Sequence, residues 1–210
     1  MTFGSTFGRT FSPTFQPKSQ AKKGGVVVYD EFTDTNGTAL SSHTPNLVFS
    51  GGWSSTNLSI NGNKVVNSAY GTARIETGIA DGIVSGYLYR TADYSRTIYQ
   101  NTAITVRWGA SGYTTGWHID IYSNKFCLIE QVGSGGGDYY ERAYSNKTIS
   151  LNTPYFVEII LAGSTITATI DGGNQISYSS AELNKTSTSH GMRLCGGSAS
   201  ALDTFTVTAI

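Results

Sequence analysis

Two aromatic-rich segments hold side chains that could do recognition chemistry. In Trp117-His118-Ile119-Asp120-Ile121-Tyr122, a strand pleat sends Trp117, Ile119 and Ile121 to one face and His118, Asp120 and Tyr122 to the other. In Tyr139 to Tyr144 the same alternation groups Tyr140, Arg142 and Tyr144. If the two strands share a sheet, these six aromatic and polar side chains suit stacking on sugar rings and pairing with hydroxyls. An ordinary solvated sheet face or an intersubunit contact uses the same residue types.

Catalytic groups are not gathered in the sequence. Glu130, Glu141 and Glu158 each stand alone on separate strands, and no Glu-x-Asp-x-(x)-Glu run sets two carboxylates on one face for glycoside hydrolysis. His43, His118 and His190 could be written into a Ser-His-Asp set, but no nucleophile elbow accompanies them. Asp81, Asp93, Asp138 and Asp171 are scattered singly and read as turn residues rather than calcium ligands. The expectation is no catalytic residue, no metal and no cofactor. Cys127 and Cys195 lack a CxxC spacing and sit in apolar runs, which fits buried free thiols, with a bridge between their strands as the alternative. Asn-x-Ser/Thr sequons at Asn36, Asn57, Asn146 and Asn184 carry no weight without a secretory leader.

The elements that position these residues are strands. Short β-branched and aromatic runs recur between Gly, Asn, Asp and Ser, with no helical stretch of useful length. About fourteen strands are expected over 26–29, 47–53, 58–60, 64–66, 72–75, 83–89, 103–108, 117–122, 125–131, 139–144, 155–161, 165–170, 190–195 and 204–209, a number that implies two stacked sheets. Asn61-Gly62-Asn63, Ser123-Asn124 and Asp171-Gly172-Gly173-Asn174 supply the turn residues of tight hairpins. The glycine-rich run 133–137 is a hairpin tip, because no helix follows it to bind phosphate.

The chain begins differently. Phe3, Phe7, Phe11 and Phe15 each follow a Thr at a spacing of four, among Gly, Ser and Pro that oppose a helix. Burying the four rings is worth about 6 to 12 kcal/mol, while ordering the segment costs about 1 to 2 kcal/mol per residue. Residues 1–16 therefore read as an extended arm that docks through its Phe rings on a partner with help from main-chain hydrogen bonds or multiplicity; the plainer reading is a disordered tail. Residues 17–25 are a linker and 26–210 one domain, long enough for a full core. Charged residues are 13% of the chain and the net charge is zero, which speaks against a nucleic-acid partner, and no run approaches a membrane span.

Several stretches carry a resemblance. Asp30-Glu31-Phe32, Asn36-Gly37-Thr38, Leu40, His43-Thr44-Pro45 and Trp53 open the domain. Tyr155-Phe156-Val157-Glu158, Gly163-Ser164-Thr165-Ile166, Ile170-Asp171-Gly172, His190-Gly191-Met192-Arg193 and Asp203-Thr204-Phe205 close it. Together they resemble the concanavalin A-like, laminin-G-like jelly-roll domains of bacteriophage structural proteins. The resemblance implies an all-β, two-sheet jelly-roll sandwich whose first and last strands lie side by side. The arm is similar to a phage attachment segment, which implies a virion surface protein assembled in the host cytoplasm. Its expected partners are other virion proteins, either the major capsid protein or a tail or fibre component. The expected role is capsid decoration or cementing; the alternative is a carbohydrate-binding adhesin of a tail or head fibre that recognises host glycans. A homo-oligomer, most simply a trimer, would multiply weak arms.

Overall fold

A computed structural model describes residues 25–91, 102–109, 115–133, 138–195 and 200–210. The arm, with Phe3, Phe7, Phe11 and Phe15, nearly all of the linker, Asp93 and most of the glycine-rich tip lie outside the described residues.

The described chain forms thirteen strands: β1 (Val26–Asp30), β2 (Ser50–Ile60), β3 (Val65–Glu76), β4 (Gly82–Arg90), β5 (Thr102–Val106), β6 (Gly116–Ile121), β7 (Lys125–Val132), β8 (Asp138–Asn146), β9 (Tyr155–Ala162), β10 (Thr165–Ile170), β11 (Gln175–Tyr178), β12 (Ser189–Leu194) and β13 (Ser200–Thr208). A single 3-10 turn spans Leu40–Ser42. The expected strands at 47–53 and 58–60 are one, β2, and those at 64–66 and 72–75 are likewise one, β3. These form a long hairpin around Asn61–Lys64, interrupted by register shifts where Gly51 and Asn57 take φ of 68° and 55°. Strand β5 ends at Val106 rather than at Trp108, because Arg107 turns the chain at φ 52°.

Hydrogen bonding is continuous through β11-β10-β9-β4-β13-β3-β12-β5-β6-β7-β8, with β1 added on β13 and β2 on β3. The two layers of the sandwich are thus one sheet folded over at β13. That strand runs beside β4 throughout, pairs with β3 at Ala201 and Leu202, and pairs with β1 from Phe205 to Thr208. A bulge between Asp203 and Phe205, with Thr204 at φ 48°, makes the handover. The first and last strands do lie side by side, as the jelly-roll resemblance implies.

Between the layers sit Trp53, Leu88, Ile104, Trp117, Ile119, Phe126, Val157 and Phe205, all buried. The opening motif closes one end of this core. Asp30, fully buried, accepts hydrogen bonds from Trp53 Nε1 (2.7 Å), His43 Nε2 (2.9 Å) and the Phe32 backbone N–H (2.8 Å). The last of these holds Phe32 at φ 53°, so that its ring packs against Trp53 and His43. The Asp-x-Phe, His and Trp signature is therefore a structural knot: three donors compensate one carboxylate taken out of water.

Candidate carbohydrate-binding face

Cross-strand partners share a face of a sheet, so the register defines the surface of the layer β3-β12-β5-β6-β7-β8. One row runs Thr72, Arg193, Ala103, Asp120, Cys127, Tyr144. Ile119, Leu128 and Ala143 form the adjacent row and point into the sandwich. The expected split of Trp117, Ile119 and Ile121 from His118 and Asp120 is present, since the first three belong to the core.

His118 and Asp120 nevertheless lie beneath the surface. His118 is fully buried, with Nδ1 2.9 Å from Thr105 Oγ1 and Nε2 2.8 Å from Gln131 Oε1. Asp120 is fully buried against Arg193, whose Nη2 lies 3.0 and 2.8 Å from the two carboxylate oxygens. Burial works against the Arg193 charge, but Asp120 holds the guanidinium protonated. Tyr139 covers both groups, its ring 5.4 Å from the Arg193 guanidinium carbon and 6.4 Å from the His118 ring. Burial pushes the Tyr139 hydroxyl up to about 12, with Arg193 pulling the other way. Tyr122 is raised as well, first by burial and then by Asp120. These polar groups therefore brace the sheet from behind the exposed surface.

The exposed groups lie toward β8. Tyr144 is 58% exposed. Lys125 stands 5.3 Å from the Tyr122 ring centre and 5.4 Å from that of Tyr144, and its Nζ donates to Glu141 at 2.6 Å. The hydrogen bond to Glu141 raises the Lys125 pKa against burial. Tyr122, Lys125, Glu141 and Tyr144 thus form a rim of rings flanking one ion pair.

Tyr140 and Arg142 are elsewhere, which corrects the expected grouping with Tyr144. A register shift between Leu128 and Ile129 skips Arg142, so Tyr144 pairs with Cys127 whereas Tyr140 pairs with Glu130. The extra residue reverses the alternation within β8. Arg142 donates from Nε and Nη2 to Glu130 Oε2 at 2.8 and 2.6 Å and lies over Tyr140 (4.9 Å) and Tyr178 (5.7 Å). Tyr178 in turn meets Trp117 at 5.6 Å. This second cluster stands where the free edges of β8 and β11 approach, tied at one end by Asn174 Nδ2 donating to Ser145 Oγ and the Asn146 carbonyl. A groove of about 460 Å³ runs along that seam, lined by Glu141, Arg142, Tyr144, Gln175 and Ser177 among others.

Sequence reasoning gave Lys125 and Arg193 no role at this surface and passed over β11 entirely. A cation inside the apolar run His190–Cys195 was the available signal for a buried partner such as Asp120. Nothing in the four-residue Gln-Ile-Ser-Tyr stretch separates it from a turn.

The three imidazoles are all committed to the protein. His43 sits between Asp30 and Asp34 (3.1 Å), His118 between Thr105 and Gln131, and His190 between the Arg107 N–H (3.1 Å) and the Ile79 carbonyl (3.0 Å). Among the described residues no three His, Cys, Asp or Glu side chains come together as metal ligands. Both cysteines are buried free thiols. Strands β12 and β7 are separated by β5 and β6, about 14 Å at the usual strand spacing, so the alternative of a bridge between the two is ruled out.

Several solved structures share this fold. The metal-free VIP36 exoplasmic/lumenal domain superposes with a TM-score of 0.58 at 11% identity, over 91% of this chain and 94% of that one. The Ca2+/Man2-bound form of the same domain gives 0.56 at 11% identity, over 82% and 86%. The Emp46p carbohydrate recognition domain in metal-free form gives 0.54 at 10% identity, over 75% and 87%. The fold is a lectin-type jelly roll. At these identities the likeness extends to the fold alone. No protein-family model and no curated protein sequence matches the chain.

Proposed function

We propose that the protein is a non-catalytic carbohydrate-binding module of a bacteriophage virion, fixed to the particle by its N-terminal arm with the lectin-type sandwich facing outward. The observation that carries the glycan reading is the rim on β6 to β8: Tyr144 stands open to solvent beside the Lys125–Glu141 pair, on the layer edge of a fold shared with carbohydrate-recognition domains. An exposed ring offers a stacking plane for the apolar face of a pyranose, and the ion pair offers both a donor and an acceptor to vicinal hydroxyls. His118 and Asp120 support that rim and do not themselves meet the sugar. Arg142 and Tyr144 line the β8–β11 groove, whose volume of about 460 Å³ leaves room for a neighbouring sugar unit. The absence of catalysis in this reading rests on the three committed imidazoles and on Glu130 and Glu141, each held in an ion pair.

Virion attachment rests on the arm, whose four Phe rings call for a partner surface, and on its similarity to phage attachment segments. Decoration of the capsid is the form we favour; several copies side by side would raise the avidity of both arms and glycan sites.

Two experiments separate these claims. A glycan array probed with the full chain and with Tyr144→Ala should give hits that vanish in the variant; silence with the full chain overturns the glycan reading. Removal of residues 2–16 should leave a folded sandwich that no longer incorporates into particles, and normal occupancy without the arm overturns the mount.

A further inference from the structure

The outer face of the opposite layer carries apolar side chains that the glycan reading leaves unused. On β4 and β9 the register sets Tyr87 beside Phe156 and Ile83 beside Ile160, with Ser85 beside Glu158 between them. The Tyr87 and Phe156 rings meet at 5.2 Å, and Tyr87 and Ile160 are each 38% exposed. Around them lie Thr167, Thr169 and Thr206, with the Glu158 carboxylate within the group and that of Asp203 beside Tyr87 at its margin.

The chain enters the domain beside this face. Val26 pairs with Thr208, Thr208 with Ile83, and Ile83 with Ile160, in a single cross-strand row on β1, β13, β4 and β9. Val26 is itself exposed, and the Gly25 carbonyl accepts from Ala209 N–H at 3.0 Å, which fixes the point of entry. Ile83 is two strand spacings from Val26, about 10 Å, and Ile160 about 14 Å. The segment from Phe15 to Val26 extends to about 35 Å. Charge points the same way. Residues 1–24 carry Arg9, Lys18, Lys22 and Lys23 and no carboxylate side chain, so the zero net charge of the whole chain divides into a basic arm and an acidic domain.

We infer that in the free protein the arm folds back in cis onto the outer face of β4 and β9, seating Phe15 and Phe11 on Tyr87, Phe156 and Ile160. Docking within one chain sees an effective concentration on the order of millimolar, which a separate copy does not match in dilute solution. Only the two Phe nearest the entry point need to seat, which limits the chain entropy lost relative to ordering the whole arm. Lys18, the second residue of the linker, falls within reach of Glu158. The stowed state shelters rings that would otherwise draw free copies together, and it yields when a particle offers a larger surface. The inference concerns the free protein and stands apart from the arm's role as a mount.

A nitroxide on Ser12→Cys tests it in the full chain, because Cys127 and Cys195 are buried and escape labelling. In a dilute sample labelled with nitrogen-15, amide signals of 83–87 and 156–160 should broaden to the same extent on further dilution, and Ile160→Glu or Tyr87→Ser should restore them while the remaining spectrum is unchanged. Broadening that appears only when spin-labelled, isotopically silent chain is mixed with isotope-labelled chain assigns the face to a second copy and overturns docking in cis. Signals on this face that never broaden overturn the inference altogether. Neither outcome touches particle incorporation, which is read separately with the truncated chain.

Discussion

Arg193 on β12 reaches over Ala103 on β5 to set its guanidinium 2.8 and 3.0 Å from the two carboxylate oxygens of Asp120 on β6. The small side chain at 103 is what lets a long one cross the intervening strand. Both ionic groups are fully buried, so each is the other's main compensation for lost hydration.

Removing one partner should therefore be severe. Asp120→Asn or Asp120→Ala leaves the guanidinium buried without its counter-ion, at a cost of about 3 to 5 kcal/mol. The double change Asp120→Leu with Arg193→Met should recover most of that loss, since an apolar pair of similar volume often equals a buried ion pair. Urea unfolding of the three variants checks this, and a double variant as unstable as the single one would refute the assignment of the pair as mutual compensation.

Two histidines predict a stability maximum near pH 6.5. His43 is raised: burial opposes its charge, but hydrogen bonds to Asp30 and Asp34 outweigh it. Its contribution is full below the unfolded value of about 6.5 and is lost as pH rises through the folded value. His190 is lowered to about 4 by burial. Its contribution is full above about 6.5 and is lost as pH falls toward the folded value. His43→Gln should flatten the alkaline limb and His190→Gln the acid limb, as read from unfolding midpoints between pH 4.5 and 8.5. Asp34, held low by His43 and the Thr35 N–H, adds a further loss only as pH falls below the ordinary carboxylate range.

Among the described glycines, Gly191 leaves the least room for a Cβ against a neighbouring strand. A Cβ there would lie 2.0 Å from the Ala73 carbonyl oxygen and 2.8 Å from the Arg74 Cα, both main-chain atoms of β3. Gly191→Ala should part β12 from β3 and cost about 3 kcal/mol. A melting temperature equal to that of the parent protein would show that the two strands have room to spare.

How much of this was legible beforehand follows from which interactions are local. The alternation in Trp117–Tyr122 placed each residue on its proper face, because a strand apolar on one side and polar on the other has no other register. Burial of His118 and Asp120 was not legible, as it depends on Gln131, Arg193 and Tyr139 arriving from other strands. The long β2–β3 hairpin looked broken because Ser54–Asn57 and Asn67–Gly71, rich in Ser, Asn and Gly, read as gaps between strands, whereas the pairing continues on both sides of a register shift at Asn57. The bulge at Arg142 left no mark at all. Nothing in Tyr-Tyr-Glu-Arg-Ala-Tyr says that one residue is unpaired, and that single residue moved Tyr140 and Arg142 away from Tyr144.

That displacement supplies the sharpest prediction for the glycan surface. If the sugar stacks on the rim, Tyr144→Ala should abolish binding and Lys125→Ala or Glu141→Ala should weaken it, while Tyr140→Ala, 45% exposed on the far side of the bulge, should leave most of it in place. None of these four side chains is buried in the core, so each variant should stay within about 0.5 kcal/mol of the parent in stability. Titration of an array-selected oligosaccharide by calorimetry distinguishes the cases. Equal losses for Tyr140→Ala and Tyr144→Ala would mean that the ligand spans the β8 edge from the rim to the Arg142 cluster rather than resting on the rim alone. A loss confined to Tyr140→Ala would mean that the Arg142 cluster, and not the Lys125 pair, holds the sugar.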